Sequence, residues 1–137
     1  MRDKKNSYLL LIRCKRDIKL SVGKLGKINF KKGYYVYVGS APLNKLFKRV
    51  QRHFLKNKRK FWHIDFITSL KEFEIENVWV SKDTECEISR KFLKDLRLKV
   101  VKEKFGSSDC KCKTHFFKVD KKKILKYLKD IDFLKIF

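Results

Sequence analysis

Five consecutive strand-forming residues, Tyr34-Tyr-Val-Tyr-Val38, lie between Gly33 and Gly39, and Pro42 stands just beyond them. Aromatic and β-branched side chains suit a pleated, half-buried surface. A proline, with φ fixed and no N–H to donate, is tolerated in the first turn of a helix. It is the one proline in the chain. The segment must therefore pass from strand to helix within a few residues. The expected helix covers 42–57. At about 100° per residue, Leu43, Leu46, Phe47, Val50 and Phe54 share one arc, the predicted core stripe. Lys45, Lys48, Arg52 and Lys56 gather on a separate basic arc. Arg49 and His53, spaced i and i+4, lie at the border between the two, where a side chain can line a groove while its stem is held by the core.

Other segments have shorter signals. Residues 7–13, apolar from Tyr8 to Ile12, read as a buried strand. Segments 18–22 and 27–30, with Gly23 and Gly26 between them, form a hairpin. Residues 61–70 fit a strand or a helix equally. Residues 75–80 and 114–119 read as strands, 84–96 as a helix, and 121–131 as an amphipathic helix with Ile124, Leu125, Leu128 and Ile131 on one face. The expected fold is one small α/β (α+β) domain over 1–137, an antiparallel β-sheet flanked by helices, with 120–137 as a C-terminal helical tail.

The charge is lopsided: 37 Lys and Arg against 15 Asp and Glu, a formal net charge of +22. A compact body with that excess repels itself, and a polyanion relieves the repulsion. Nucleic acid leads as the partner, because phosphate contacts release counterions. An anionic membrane surface is the rival, and a Lys-rich surface suited to heat is the bland alternative, although such surfaces are usually balanced by Glu. The turn Lys56-Asn-Lys58-Arg59-Lys60 is either a solvated loop or a phosphate contact. No run is long enough to span a bilayer, and the charged lead-in has no secretory h-region. The expectation is a cytoplasmic protein whose four cysteines are free thiols or metal ligands.

Tyr37-Val-Gly-Ser-Ala41, followed by Arg49 and His53, resembles the GIY-YIG endonuclease family, in which two tyrosine-bearing strands adjoin a helix with an essential Arg. Tyr37-Val38-Gly39 takes the place of the YIG element and Asn6-Ser7-Tyr8 that of GIY, keeping only the tyrosine. Trp62-His63-Ile64-Asp65 and Ser108-Asp-Cys-Lys-Cys112 to His115 are similar to a branch of uncharacterised archaeal and bacterial GIY-YIG-like proteins. The interval between Tyr8 and Tyr37 is longer than usual for the family and implies an inserted β-hairpin. The resemblance covers roughly residues 7–117 and implies a nuclease acting on DNA phosphodiesters, with RNA as a further substrate class.

Phosphodiester hydrolysis needs a deprotonated water, a partner for the charge developing on phosphorus, and a stabilised leaving oxygen. Arg49 suits the second task through its planar fork. Tyr8, Tyr37 and His53 are candidates for the first, and a carboxylate-held divalent ion for the third. His63 either joins the site, oriented by Asp65, or packs beside Trp62. On the 84–96 helix, Ile88, Phe92, Leu93 and Leu96 define a buried arc that includes Glu85 and excludes Glu87. Thr84-x-x-Glu87 fits a capping box, whereas an acid pointing inward is costly unless paired or metal-bound. Glu85 is therefore the expected ligand for Mg²⁺ or Mn²⁺, and the resemblance also implies one Glu on the third helix in that role. Lys45, Lys48, Arg52, Lys56, Lys58, Arg59 and Lys60 are the expected nucleic-acid contacts.

Cys86, Cys110, Cys112 and His115 make a Cys₃His donor set suited to zinc, but C-x-C-x-x-H is not the usual C-x-x-C knuckle. Zinc ligands and reduced thiols packed against a helix both remain open. Cys14 reads as a core thiol. The first functional reading is a metal-dependent endonuclease. The alternatives are a non-catalytic nucleic-acid-binding module on the same scaffold and a zinc-stabilised, RNA-associated protein, the latter favoured if base-stacking aromatics lie on an exposed sheet.

Overall fold

The computed structural model describes residues 5–129 and 132–137. Its centre is the pair β1 (Lys5–Cys14) and β4 (Gly33–Pro42), antiparallel along their full length, with Tyr8 opposite Gly39 and Leu10 opposite Tyr37. Between them in sequence, β2 (Ile18–Ser21) and β3 (Lys27–Phe30) form the expected hairpin as a separate two-stranded sheet. The main sheet runs β6 (Lys99–Val100), β7 (Phe116–Val119), β4, β1, β5 (Phe73–Ser81), β8 (Leu134–Lys135), and every pairing is antiparallel. The mixed α+β class expected from the sequence is thus observed.

Side-chain alternation gives the sheet two apolar faces, which explains why 8–12 carries no polar interruption. Tyr8, Leu10, Ile12, Tyr35 and Tyr37 join one core with hairpin residues Ile28 and Phe30, with Leu46 and Val50 of α1 (Leu46–Phe54), and with Ile67 of α2 (Asp65–Thr68). Leu9, Leu11, Val36 and Val38 join the other, with Ile88 and Phe92 of α3 (Glu85–Lys94) and Ile124 of α4 (Lys121–Tyr127). Complete burial of one such aliphatic side chain contributes about 1.5–3 kcal/mol. In the first core Phe105 stacks on Phe116 with ring centroids 4.4 Å apart, an arrangement that adds about 0.5–1.5 kcal/mol to burial alone.

Three local expectations are corrected. The helix expected over 42–57 starts as a 3₁₀ turn at Leu43–Lys45 and becomes α-helical only over Leu46–Phe54. The tighter winding takes Leu43 off the arc, and the Tyr8 hydroxyl holds the His53 side of α1 inward. The buried face is therefore Leu46, Val50 and His53, while Leu43, Phe47 and Phe54 of the predicted stripe are exposed. The segment 61–70 resolves into turns and the short helix α2, with no strand. The tail over 120–137 is not wholly helical. α4 stops at Tyr127, and Leu134–Lys135 pairs with Trp79 and Val80 at the open edge of β5, where unpaired backbone groups favour an added strand. Ile131, expected on the apolar face of that helix, lies outside the described residues.

Candidate active site

Tyr8 and Tyr37 project from neighbouring strands into one cleft, and their ring centroids are 6.4 Å apart. Gly39 makes room for this. A Cβ at 39 would stand 2.7 Å from Tyr8 Cε2, closer than van der Waals contact permits. Gly106, at φ +73°, does the same for Tyr37 from above, since a Cβ there would lie 3.0 Å from the ring. Beneath the cleft the Tyr8 hydroxyl meets His53 Nε2 at 2.7 Å. His53 is completely buried, and among the described residues its Nδ1 has no hydrogen-bond partner. Burial, reinforced by the Lys58 ammonium, pushes the imidazole down from 6.5 to about 3, so it is neutral near pH 7. Burial also raises the Tyr8 phenol well above its ordinary value, with Tyr37 adding to the effect and Arg49 opposing it. Tyr37 is raised by burial and then by Glu85. Neither tyrosine is a standing phenolate.

Arg49 reaches the same cleft from α1. Its guanidinium donates to the Ser40 carbonyl at 2.8 Å and lies 5.2 Å from the centre of the Trp62 ring. No carboxylate pairs with it among the described residues. A fork fixed by a carbonyl and an indole face keeps its orientation while its charge remains unneutralised.

Glu85 enters from the start of α3, whose apolar side packs on the opposite face of the sheet. The N-cap half of the expected capping box is present: Thr84 Oγ1 accepts from the Glu87 N–H at 3.1 Å, while Glu87 Oε1 meets the Thr84 hydroxyl at 3.1 Å. Glu87 is exposed, whereas the Glu85 side chain is only 31% exposed and lines the cleft. The cleft encloses about 340 Å³, and Ser107 and Asp109 line it as well. Neither was nominated from sequence. The loop around them lacks periodicity, and the resemblance drawn on Ser108-Asp-Cys-Lys-Cys112 marked the segment without assigning Asp109 a role.

Cys86, Cys110, Cys112 and His115 come together, with their ligand atoms all within 4.8 Å of one another, and the group could hold a metal ion. His115 Nε2 is 3.5 Å from Cys110 Sγ. On its other side Nδ1 lies 3.4 Å from Glu85 Oε2, within ion-pair reach but not aligned as a hydrogen bond. Burial raises the Cys112 thiol, and the neighbouring Cys86 and Cys110 raise it further. Cys14 is a buried free thiol, as expected.

The remaining nominated residues divide. His63 does not line the cleft; its Nδ1 accepts the Gly106 N–H at 2.9 Å and its ring packs on Phe105. Asp65 does not orient it. Instead the fully buried Asp65 carboxylate receives both Arg52 nitrogens, at 2.8 and 3.0 Å, and the N–H groups of Phe61 and Trp62. Burial pushes that carboxyl up, but these donors outweigh it and the net shift is downward. Lys56 caps three carbonyls, those of Thr68, Leu70 and Phe73. Lys58 donates to the carbonyls of Arg52 and His53 and to Thr68 Oγ1, and burial lowers it to about 8. These two lysines hold the chain together. Lys45, Lys48, Arg59 and Lys60 stay exposed. A groove of about 940 Å³ runs along Lys45, Lys48, Arg49, Arg52, Leu55 and Trp62, and shares Arg49 and Trp62 with the cleft.

The family model described as "Domain of unknown function DUF123" matches residues 7–132, nearly the whole chain. No curated protein and no solved structure matches the chain. Among the described residues no helix is long and apolar enough to cross a membrane.

Proposed function

The chain belongs to the DUF123 family, and we propose that it is a metal-dependent endonuclease of the GIY-YIG type, hydrolysing DNA phosphodiesters in the cytoplasm. One observation carries the reading: Tyr8, Tyr37, Arg49 and Glu85, from two strands and two helices, line a single cleft. Such convergence in the order of the motif is hard to attribute to packing alone, because each group is polar and each occupies space a core would fill with hydrocarbon.

The groups divide the chemistry. Arg49 faces the phosphate and meets the charge that grows on its oxygens; its fixed fork needs no reorganisation as the reaction proceeds. Tyr8 receives the proton of the attacking water on its oxygen as its own proton passes to His53 Nε2, so the pair acts as a relay. Entry of an anionic phosphate favours the imidazolium and raises His53 from its depressed resting value. Tyr37, also neutral, donates a hydrogen bond within the cleft. The oxygens of Glu85 and Asp109 are hard donors, which fit Mg²⁺ or Mn²⁺. A divalent ion held there supplies Lewis-acid stabilisation of the leaving oxygen. Three thiols and one imidazole form a softer set, and Zn²⁺ is the ion that suits Cys86, Cys110, Cys112 and His115. The groove along Lys45 and Lys48 gives a polyanion a path to Arg49.

A second reading is a non-catalytic nucleic-acid-binding module, with RNA among its ligands. It is favoured by the exposed rings of Phe47, Phe61 and Trp62 near the basic groove, which suit base stacking. Incubation with plasmid, branched DNA and RNA, in Mg²⁺ or Mn²⁺ against EDTA, separates the two. Metal-dependent cleavage of DNA supports the nuclease; binding without cleavage of any substrate supports the module.

A further inference from the structure

We infer that the Cys86–Cys110–Cys112–His115 centre, loaded with zinc, positions Glu85 through His115 and so controls the geometry of the adjacent cleft; the consequence for cleavage rests on the nuclease reading. The geometry of the donors comes first. Zn–S and Zn–N bonds of about 2.3 and 2.0–2.1 Å at tetrahedral angles put a sulfur and a nitrogen about 3.5 Å apart. Cys110 Sγ and His115 Nε2 are separated by 3.5 Å. An opening of about 450 Å³ lined by Cys86 and Cys112, and not by Glu85, reaches the cluster from outside and gives an ion its way in.

His115 supplies the link. It is 1% exposed, and its Nδ1 has no aligned hydrogen-bond partner. An imidazole that binds a metal through Nε2 carries its proton on Nδ1, and that proton needs an acceptor. Glu85 Oε2, 3.4 Å away, is the carboxylate in reach. A small rotation completes the carboxylate–histidine–metal arrangement and leaves the second Glu85 oxygen for the cleft.

The chain connectivity gives the link its consequence. Cys86 follows Glu85 in the first turn of α3. Cys110 and His115 sit on the segment that also brings Gly106, Ser107 and Asp109 to the cleft. An ion bridging these ligands fastens two cleft walls to each other. Without an ion these side chains meet through long thiol contacts such as that of Cys110 Sγ with His115 Nε2 at 3.5 Å, which are weak.

The test is zinc affinity, which does not depend on turnover. Protein purified under reducing conditions is assayed for zinc per chain, then for affinity by competition with a chromophoric chelator, in wild type, Glu85→Gln and Glu87→Gln. Circular dichroism checks the fold of each. The expected result is one zinc per chain, with affinity about 10–100-fold weaker in Glu85→Gln, the usual effect of losing a carboxylate that orients a ligating histidine, and unchanged in Glu87→Gln. Cobalt substitution should give thiolate charge-transfer bands, weakened by about a third or more in Cys110→Ser, which removes one of the three thiolates. Absence of zinc, or equal affinity in wild type and Glu85→Gln, overturns the inference. If affinity falls as expected while no substrate is cleaved, the coupling of Glu85 to the metal stands and the nuclease reading fails.

Discussion

Gly39 stands directly across the strand pair from Tyr8, and the tyrosine ring occupies the space a side chain at 39 would need. The glycine of Tyr37-Val-Gly is thus required by its neighbour and not by its own backbone, which needs no positive φ. Gly39→Ala must displace the Tyr8 ring or spread β1 from β4. The expected outcome is a stable but impaired protein, with the Tyr8–His53 contact broken and cleavage reduced at least tenfold. A crystal structure of the variant and its turnover would check this. Retained activity with an unmoved Tyr8 would show that the close approach has no functional weight.

Burial of neutral His53 ties stability to pH. Its pKa is about 3 in the folded protein against 6.5 ordinarily. Between those values the unfolded chain binds the extra proton, so stability is fully present above 6.5 and is lost as pH falls toward 3. The loss between pH 6.5 and 5 should be about 2 kcal/mol for this group. The charges around it include Lys58, Arg52, Arg49 and Asp65. Asp65, whose pKa is lowered, contributes in the same direction but only near and below the usual carboxylate range. Thermal melts at pH 7.5 and 5 should therefore lie closer together in His53→Gln, where this proton no longer binds, than in wild type; His63, also lowered by burial, keeps a smaller gap. Equal separation in both would mean that His53 is not buried in its neutral form.

The lysines of the basic segment should separate by role. Lys45 and Lys48 border the groove, whereas Lys56 holds three carbonyls. DNA affinity of wild type should fall linearly on a log–log salt plot. Lys45→Ala and Lys48→Ala should each reduce that slope by about 1 with little change in Tm. Lys56→Ala should lower Tm and leave the slope nearly unchanged. A flat wild-type salt response would remove nucleic acid as the main partner.

Sequence carried the parts governed by neighbours close along the chain. The hairpin between Gly23 and Gly26, the capping box at Thr84 and Glu87, and the inward placement of Glu85 all follow from short-range spacing. Features set by long-range contact were not legible. Whether Lys56 meets phosphate or carbonyls depends on where the turn before β5 lands. One reading paired Asp65 with His63, two residues away, while its partner Arg52 came from another helix. The buried face of α1 was misread because His53 turns inward to the Tyr8 hydroxyl on β1, while the 3₁₀ turn takes Leu43 off the arc. β8 has two residues and offers no period at all.

Arg49→Ala tests the central claim most directly, because it separates catalysis from attraction. One cation among 37 contributes little to a distributed electrostatic affinity. The same cation, fixed by Ser40 and Trp62 and aimed into the cleft, should be worth about 10²–10³ in rate, as for a comparable single donor to developing charge. Single-turnover cleavage of a labelled DNA in Mg²⁺ or Mn²⁺ should fall by that factor in Arg49→Ala, with Kd for the same DNA changed less than about threefold. Equal cleavage rates in wild type and Arg49→Ala, or wild-type protein that binds DNA and cleaves none, would contradict the account.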